Sequence, residues 1–337
     1  MPRLAGAGLL IAMLAFGLGV YHAAEYLKGG RPVVHRPSEV SVTPLPGTLY
    51  VVQQGAIYRF QHGNFTQVTS ESGWVQAAAD PRGGQLIAVQ RHTDYSDLYL
   101  ITTGGRAVAQ LTHNSSGQVE GNHWSFYPRF SSDGASIFYD YDPKDPDNNY
   151  HVDLSIFASP SDPASRSSVR WTYANDYAGG DVYPLPLRDR GGLVYVKYSI
   201  DDQFKVHSQI WLQTRAGTAG EALTPADADC AQPALSPDQT RIAMVCRKGS
   251  NTTAELDVAA FDAASPTLGS LSMLVNGGLV ASPSFSPDGK SIAYLAPATT
   301  GGGFQLWTAS STGPPAPKEI TSDLGLDASS PPVWLQG

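Results

Sequence analysis

The chain has 337 residues, with 22 Lys and Arg against 30 Asp and Glu and a net charge of −8. No basic stripe is present to neutralise phosphates, which excludes nucleic acid as a partner. Only 15 % of residues are charged, whereas 34 Gly and 25 Pro suit a chain of many short strands and turns.

Leu4 to Val20 carries no charge and consists of Leu, Ala, Gly, Ile, Met, Phe and Val. Extended through Ala24 it would span about 30 Å as a helix, enough for a bilayer core. Arg3 and the amino terminus precede it, so the positive-inside rule leaves the N-terminus cytoplasmic and the rest outside. Residues 1–27 therefore read as a transmembrane signal-anchor. The rival reading is a cleaved signal peptide and a secreted product. Tyr21 and His22 stand where a cleavage site wants small residues, although Gly17-Leu18-Gly19 offers one. No cysteine follows closely, which excludes a lipoprotein anchor. Residues 28–46, with Gly29-Gly30, four prolines and no apolar period, read as a stiffened linker.

From residue 47 onward the chain repeats. Five units share a first position, an acidic turn and then an apolar β-rich run. They are Ala77…Asp80-Pro81-Arg82-Gly83 before Leu86, Pro128…Asp133-Gly134 before Ile137, and Pro184…Asp189-Arg190-Gly191 before Leu193. Pro233…Ser236-Pro237-Asp238 before Ile242 and Pro283…Ser286-Pro287-Asp288-Gly289 before Ile292 complete the set. Each reads as a hairpin with Asp-Gly-type chemistry at its corner. A third run follows, such as Asp97–Leu100 or Gln209–Leu212. A fourth ends in an apolar residue and threonine, as in Leu111-Thr112, Trp171-Thr172, Leu223-Thr224 and Ile320-Thr321, whereas Leu274-Val275 departs from it. Four strands per repeat of about fifty residues is the signature of a propeller blade.

The ends complete the pattern. Gly47–Val51, Ile57–Phe60 and Val68-Thr69 read as second, third and fourth strands without a first, and Pro332-Val333-Trp334 reads as a first strand without the rest. One blade shared between the termini predicts an all-β, six-bladed propeller of four-stranded antiparallel blades, closed into a ring over residues 47–337. The Ser-Pro-Asp-Gly-(Lys)-x-Ile-Ala turn, strongest at Leu235–Met244 and Phe285–Tyr294, resembles the TolB-like (WD-repeat-like) propeller repeat. The resemblance covers about residues 44–337, without the separate α/β domain of full-length members. It implies the fold and leaves the function open.

Cys230 and Cys246 flank Asp238 by equal distances, so a hairpin centred there sets them opposite each other at about 4.5–5.5 Å, within disulfide range. Two buried thiols are the alternative. The acidic run after the second strand of the third repeat holds Asp140, Asp142, Asp145 and Asp147, hard oxygen ligands of the kind calcium prefers. The EF-hand spacing and its glycine are absent, and a solvated loop is the competing reading. The scattered histidines show no metal-ligand spacing, and no nucleophile elbow, zincin helix or phosphate loop is present. No cofactor is expected. Asn64, Asn114 and Asn251 begin glycosylation triplets, which matter only in a eukaryotic secretory pathway.

The loop His113–Tyr127 is longer than its counterparts. Loops leading into first strands gather at one mouth of the channel, which places Trp74, His123, Trp124, Asp181, Tyr183 and Asp229 there. Aromatics beside polar groups suit a peptide or sugar; the bland alternative is that they pack between blades and plug the channel. The reading is a membrane-tethered, monomeric, non-enzymatic scaffold at the periplasmic or cell surface that binds a protein segment or envelope polymer. The alternative is an extracytoplasmic hydrolase or lyase acting on a glycan or peptide, with His123, Asp181 and Asp229 as acid–base groups.

Overall fold

The computed structural model describes residues 45–144, 152–165, 167–174, 178–188, 191–247, 253–265 and 267–336. Among them no helix is long and apolar enough to cross a membrane. The predicted anchor, and the 28–46 linker apart from Leu45 and Pro46, lie outside these residues, as do Asp145, Asp147, Asp189, Arg190 and Asn251.

Six four-stranded antiparallel sheets account for the strands. Blade one takes Thr48–Gln53, Ala56–Gln61 and Asn64–Gln67 from the start of the described chain and its innermost strand, Val333–Leu335, from the end, with Leu49 opposite Trp334. The inner strands of blades two to six are Trp74–Ala79, Ser125–Phe130, Asp181–Pro186, Cys230–Leu235 and Ala281–Phe285. Each runs from the loops that link blades, here the upper face, to the acidic turns on the lower face. Apolar cores lie between neighbouring blades: Tyr50, Val52 and Ile57 of blade one pack with Trp74, Leu86 and Ala88 of blade two. Burying an Ile or Leu side chain contributes about 1.5–3 kcal/mol, so this alternation supplies the cohesion between sheets.

The repeated serine and aspartate have a structural role. In blade five the Ser236 hydroxyl donates to Asp238 Oδ1, which accepts the Thr240 N–H, while Ser236 Oγ accepts the Arg241 N–H. Ser131 with Asp133 and Ser286 with Asp288 do the same. These side chains satisfy corner amides that no ladder reaches. The donors also hold the Asp238 carboxyl down, at about 2.

The fourth strands end one residue before the predicted apolar–threonine pair, because the threonine leaves the sheet. In blade four the Leu223 N–H donates to Ile210 O, and the Ile210 N–H then donates to Thr224 Oγ1 at 2.9 Å. Thr69, Thr112, Thr172 and Thr321 accept the same third-strand N–H in their blades. Blade five lacks the threonine, and there the strand Ser272–Gly278 continues the ladder to Ala254.

Every inner strand from blade two to blade six carries one extra residue near its start. The residue at that position, Gln76, Tyr127, Tyr183, Gln232 or Ser282, has φ between 45° and 58°. A left-handed conformation costs a non-glycine residue about 1–2 kcal/mol, and five aligned instances call for a compensating structure. In blade five Leu235 faces Ile242, and past the bulge Cys230 faces Cys246. These two cysteines form a disulfide in the core between blades four and five.

Candidate functional site

The bulges build a belt around the channel. The Gln76 N–H donates to Ser330 Oγ, and Gln76 Oε1 accepts the Tyr127 N–H at 3.0 Å. The Tyr183 hydroxyl donates to the Tyr127 hydroxyl at 2.7 Å, with ring centroids 3.8 Å apart. The Gln232 side chain bonds the Tyr183 hydroxyl and accepts the Ser282 N–H at 2.8 Å. The Ser282 hydroxyl donates to Ala328 O, and that of Ser330 to Asp327. Gln76, Tyr127, Tyr183 and Ser282 each thus expose an N–H that a side chain from outside their own strand accepts, which offsets the backbone cost. Burial drives the Tyr127 and Tyr183 hydroxyls well above their ordinary range, so both stay protonated. Tyr183, predicted as a ligand contact, is buried and hydrogen-bonded within this belt.

Asp140 lies behind this belt, fully buried, its Oδ2 accepting the Tyr183 N–H at 3.3 Å. Burial raises its pKa well above the ordinary carboxylate range. Asp181 is also buried, with Lys197 at 3.1 Å, and desolvation raises it despite that cation. Asp142 pairs with Lys144 at 2.8 Å. The two described members of the predicted calcium group are thus held by protein donors, and among the described residues no three His, Cys, Asp or Glu are placed to hold a metal.

Trp74 is buried and meets Tyr99 edge-on at 5.5 Å, so it belongs to the core between blades one and two. Asp229, in the left-handed region, accepts from the Ser208 N–H and bonds His207 Nδ1, both at 3.2 Å. His207 Nε2 bonds Asp201 at 2.9 Å. Both ring nitrogens of His207 are therefore held by carboxylates, a bracket across the long hairpin of blade four. Among the described residues no hydrogen bond or ion pair joins His123, Asp181 and Asp229, each of which has its own partners.

His123 and Trp124 are brought together with residues the sequence reading missed. His123 stacks on Tyr141 and its Nδ1 bonds Asp142 O at 2.8 Å. Trp124 stacks on Phe126, and the Arg91 guanidinium lies 5.9 Å from its ring. Arg91 edges an open groove of about 540 Å³ on the upper face, lined also by His92, Asp94 and Tyr95, with His92 stacked on Tyr95 at 4.3 Å. Gly73 shapes its wall: at φ 84° its Cα lies so close to the Arg91 backbone that a Cβ would sit 2.1 Å from Arg91 O. The loop His113–Tyr127 is fixed behind the groove by buried Asn114, whose Nδ2 donates to Ser96 O and Ser125 Oγ. That use of Nδ2 removes Asn114 as a glycan acceptor. Exposed cation, imidazole and stacked aromatic rings on a shaped concavity suit a polar, partly aromatic peptide segment.

No protein-family model matches the chain, and no curated protein sequence does. Solved structures do match its fold. TolB from Acinetobacter baumannii is 20 % identical with a TM-score of 0.64, over 86 % of this chain and 66 % of that one. A chain of the Nidogen/Laminin complex is 12 % identical with a TM-score of 0.60, over 85 % and 97 %. A gluconolactonase from Xanthomonas campestris is 10 % identical with a TM-score of 0.52, over 86 % and 90 %. The fold is that of the TolB-like six-bladed β-propellers.

Proposed function

We propose that this protein is a membrane-tethered, extracytoplasmic propeller that captures a protein segment in the upper-face groove of blade two, beside Trp124 of blade three. The observation that carries the reading is the exposed Arg91 over Trp124 beside the His92–Tyr95 stack. TolB and nidogen–laminin relatives of the fold agree with a binding scaffold, while the gluconolactonase relative shows that the fold alone does not decide. The separate partners of His123, Asp181 and Asp229 weigh against the hydrolase or lyase reading. The ring reads as closed by Val333–Leu335 on Thr48–Gln53, and the protein as monomeric. The uncharged Leu4–Val20 run and the disulfide agree with an anchored domain in an oxidising compartment.

The test is site-specific photo-crosslinking from position 95 in native membranes, with identification of the captured protein. Trp124→Ala and Arg91→Ala should each reduce capture several-fold while leaving the melting temperature within a degree or two. Undiminished capture by both variants overturns the groove as the site. Mass determination of the mature N-terminus tests the anchor, which a start after Gly19 or Ala24 would eliminate.

A further inference from the structure

Below the belt the channel opens into a second cavity of about 350 Å³, lined by the ends of all six inner strands. Its walls mix polar surface with apolar side chains, Ala77 of blade two, Phe130, Pro233, Phe285 and Trp334 among them. The indole N–H of Trp334 is engaged with Pro46 O, so Ser284 and Arg129 supply the remaining polar side chains. Arg129 is the exception to the pattern. Among the described residues its guanidinium makes one hydrogen bond, Nη1 to Pro128 O at 3.0 Å, and no ion pair. A guanidinium has five N–H donors and stays charged at any physiological pH. Arg129 is half-buried, so its remaining N–H groups are reachable from the cavity. Asp140 and Arg129 act on each other electrostatically, but no hydrogen bond or ion pair joins them, and Asp140 Oδ2 accepts from the belt.

We propose that this cavity binds a carboxylate carried on a small apolar body, held bidentately by Arg129, with Phe130, Phe285 and Trp334 around the apolar part. The planar fork of arginine matches the two oxygens of a carboxylate, and that pairing is strongest away from bulk water. The volume lies near the small end of ligand sites, about 300–1,000 Å³. A free organic acid and the last residues of a peptide both meet that description. The site lies on the other side of the belt from the upper groove and does not depend on it.

Calorimetric titration of the full chain with 3-phenylpropionate and with 3-phenylpropionamide tests the charge requirement. The tripeptide Ala-Ala-Phe, with a free or an amidated C-terminus, tests the source. At least one acid should bind at least tenfold more tightly than its amide. Arg129→Gln should reduce acid binding to the level of the amide, and Arg129→Lys should retain a part of it. A bound peptide acid assigns the site to a chain terminus, and binding of phenylpropionate alone assigns it to a free acid. Since Arg129→Gln alters a buried position, the unmodified protein supplies a second measurement. Phenylglyoxal modification of Arg129, followed by peptide mass spectrometry, should be slowed by the acid and not by the amide. Absence of binding by both acids, equal binding of acid and amide, or unprotected modification at Arg129 overturns the proposal.

Discussion

Replacing Trp334 by alanine tests whether the last strand holds the first blade together. Trp334 is 8 % exposed and packs with Leu49, Phe60, Leu306 and Ile320, residues of blades one and six. Truncating a buried Trp to Ala costs about 3–5 kcal/mol. Roughly 1 kcal/mol of that belongs to the Nε1–Pro46 hydrogen bond, 2.7 Å long. Trp334→Phe keeps most of the ring and loses that bond, so it should cost nearer the smaller figure. Against a total stability of about 5–15 kcal/mol the alanine loss is large. Equilibrium urea unfolding followed by far-UV circular dichroism reads it as a lower midpoint at an unchanged slope. A loss below about 1 kcal/mol for Trp334→Ala would mean that Val333–Leu335 is a dispensable edge. The closed-ring reading would then fail.

Thr224→Val leaves the buried Ile210 N–H without an acceptor and should cost about 1–3 kcal/mol in the same urea experiment, whereas Thr224→Ser should cost clearly less; equal losses would remove the hydroxyl from the explanation. The Asp201 carboxylate, with Asp229 assisting and Lys205 opposing, raises the His207 pKa above its ordinary value of 6.5. Stabilisation by this bracket is therefore complete below that value and is lost as pH rises through the raised folded value. Asp201 is lowered in turn, so its share is present above 3.8 and lost as pH falls through its folded value. The melting temperature of the parent should fall more steeply above neutrality than that of His207→Gln; parallel curves would contradict this. Reducing Cys230–Cys246, which encloses a loop of separation 16, should lower stability by about 3 kcal/mol at equilibrium, and an unchanged urea midpoint after verified reduction would count against it.

The blade register was readable because the acidic turn recurs at a fixed offset before each apolar run, and the Ser236–Asp238 hydrogen bonds are local. The threonine after Leu223 was visible as a pattern, but its duty towards Ile210 is a cross-strand matter that spacing alone does not reveal. The bulges left no such mark. Gln76, Tyr127 and Gln232 are not residue types that announce a positive φ, and what holds Gln76 and Tyr127 there is a side chain from outside their own blade. Trp74 was counted among the mouth aromatics because its strand position fits. Which face of that strand turns to the core depends on the neighbouring blade, through Tyr50 and Ile57. Arg91 escapes the sequence for the related reason that it meets Trp124 only across a blade boundary. Local chemistry was legible, and contacts between blades were not.

The extra residue in the inner strand of blade five has a consequence for how the chain acquires its covalent bond. Continuing the pairing of Leu235 with Ile242 without a bulge would set Cys246 against Ala231. Cys230 would then point to the opposite face of the sheet, out of reach of its partner, since a one-residue slip reverses every side chain. Only the bulged hairpin oxidises. The cross-link is therefore compatible with the bulged register alone and holds Gln232 as the residue turned towards its neighbours in the belt.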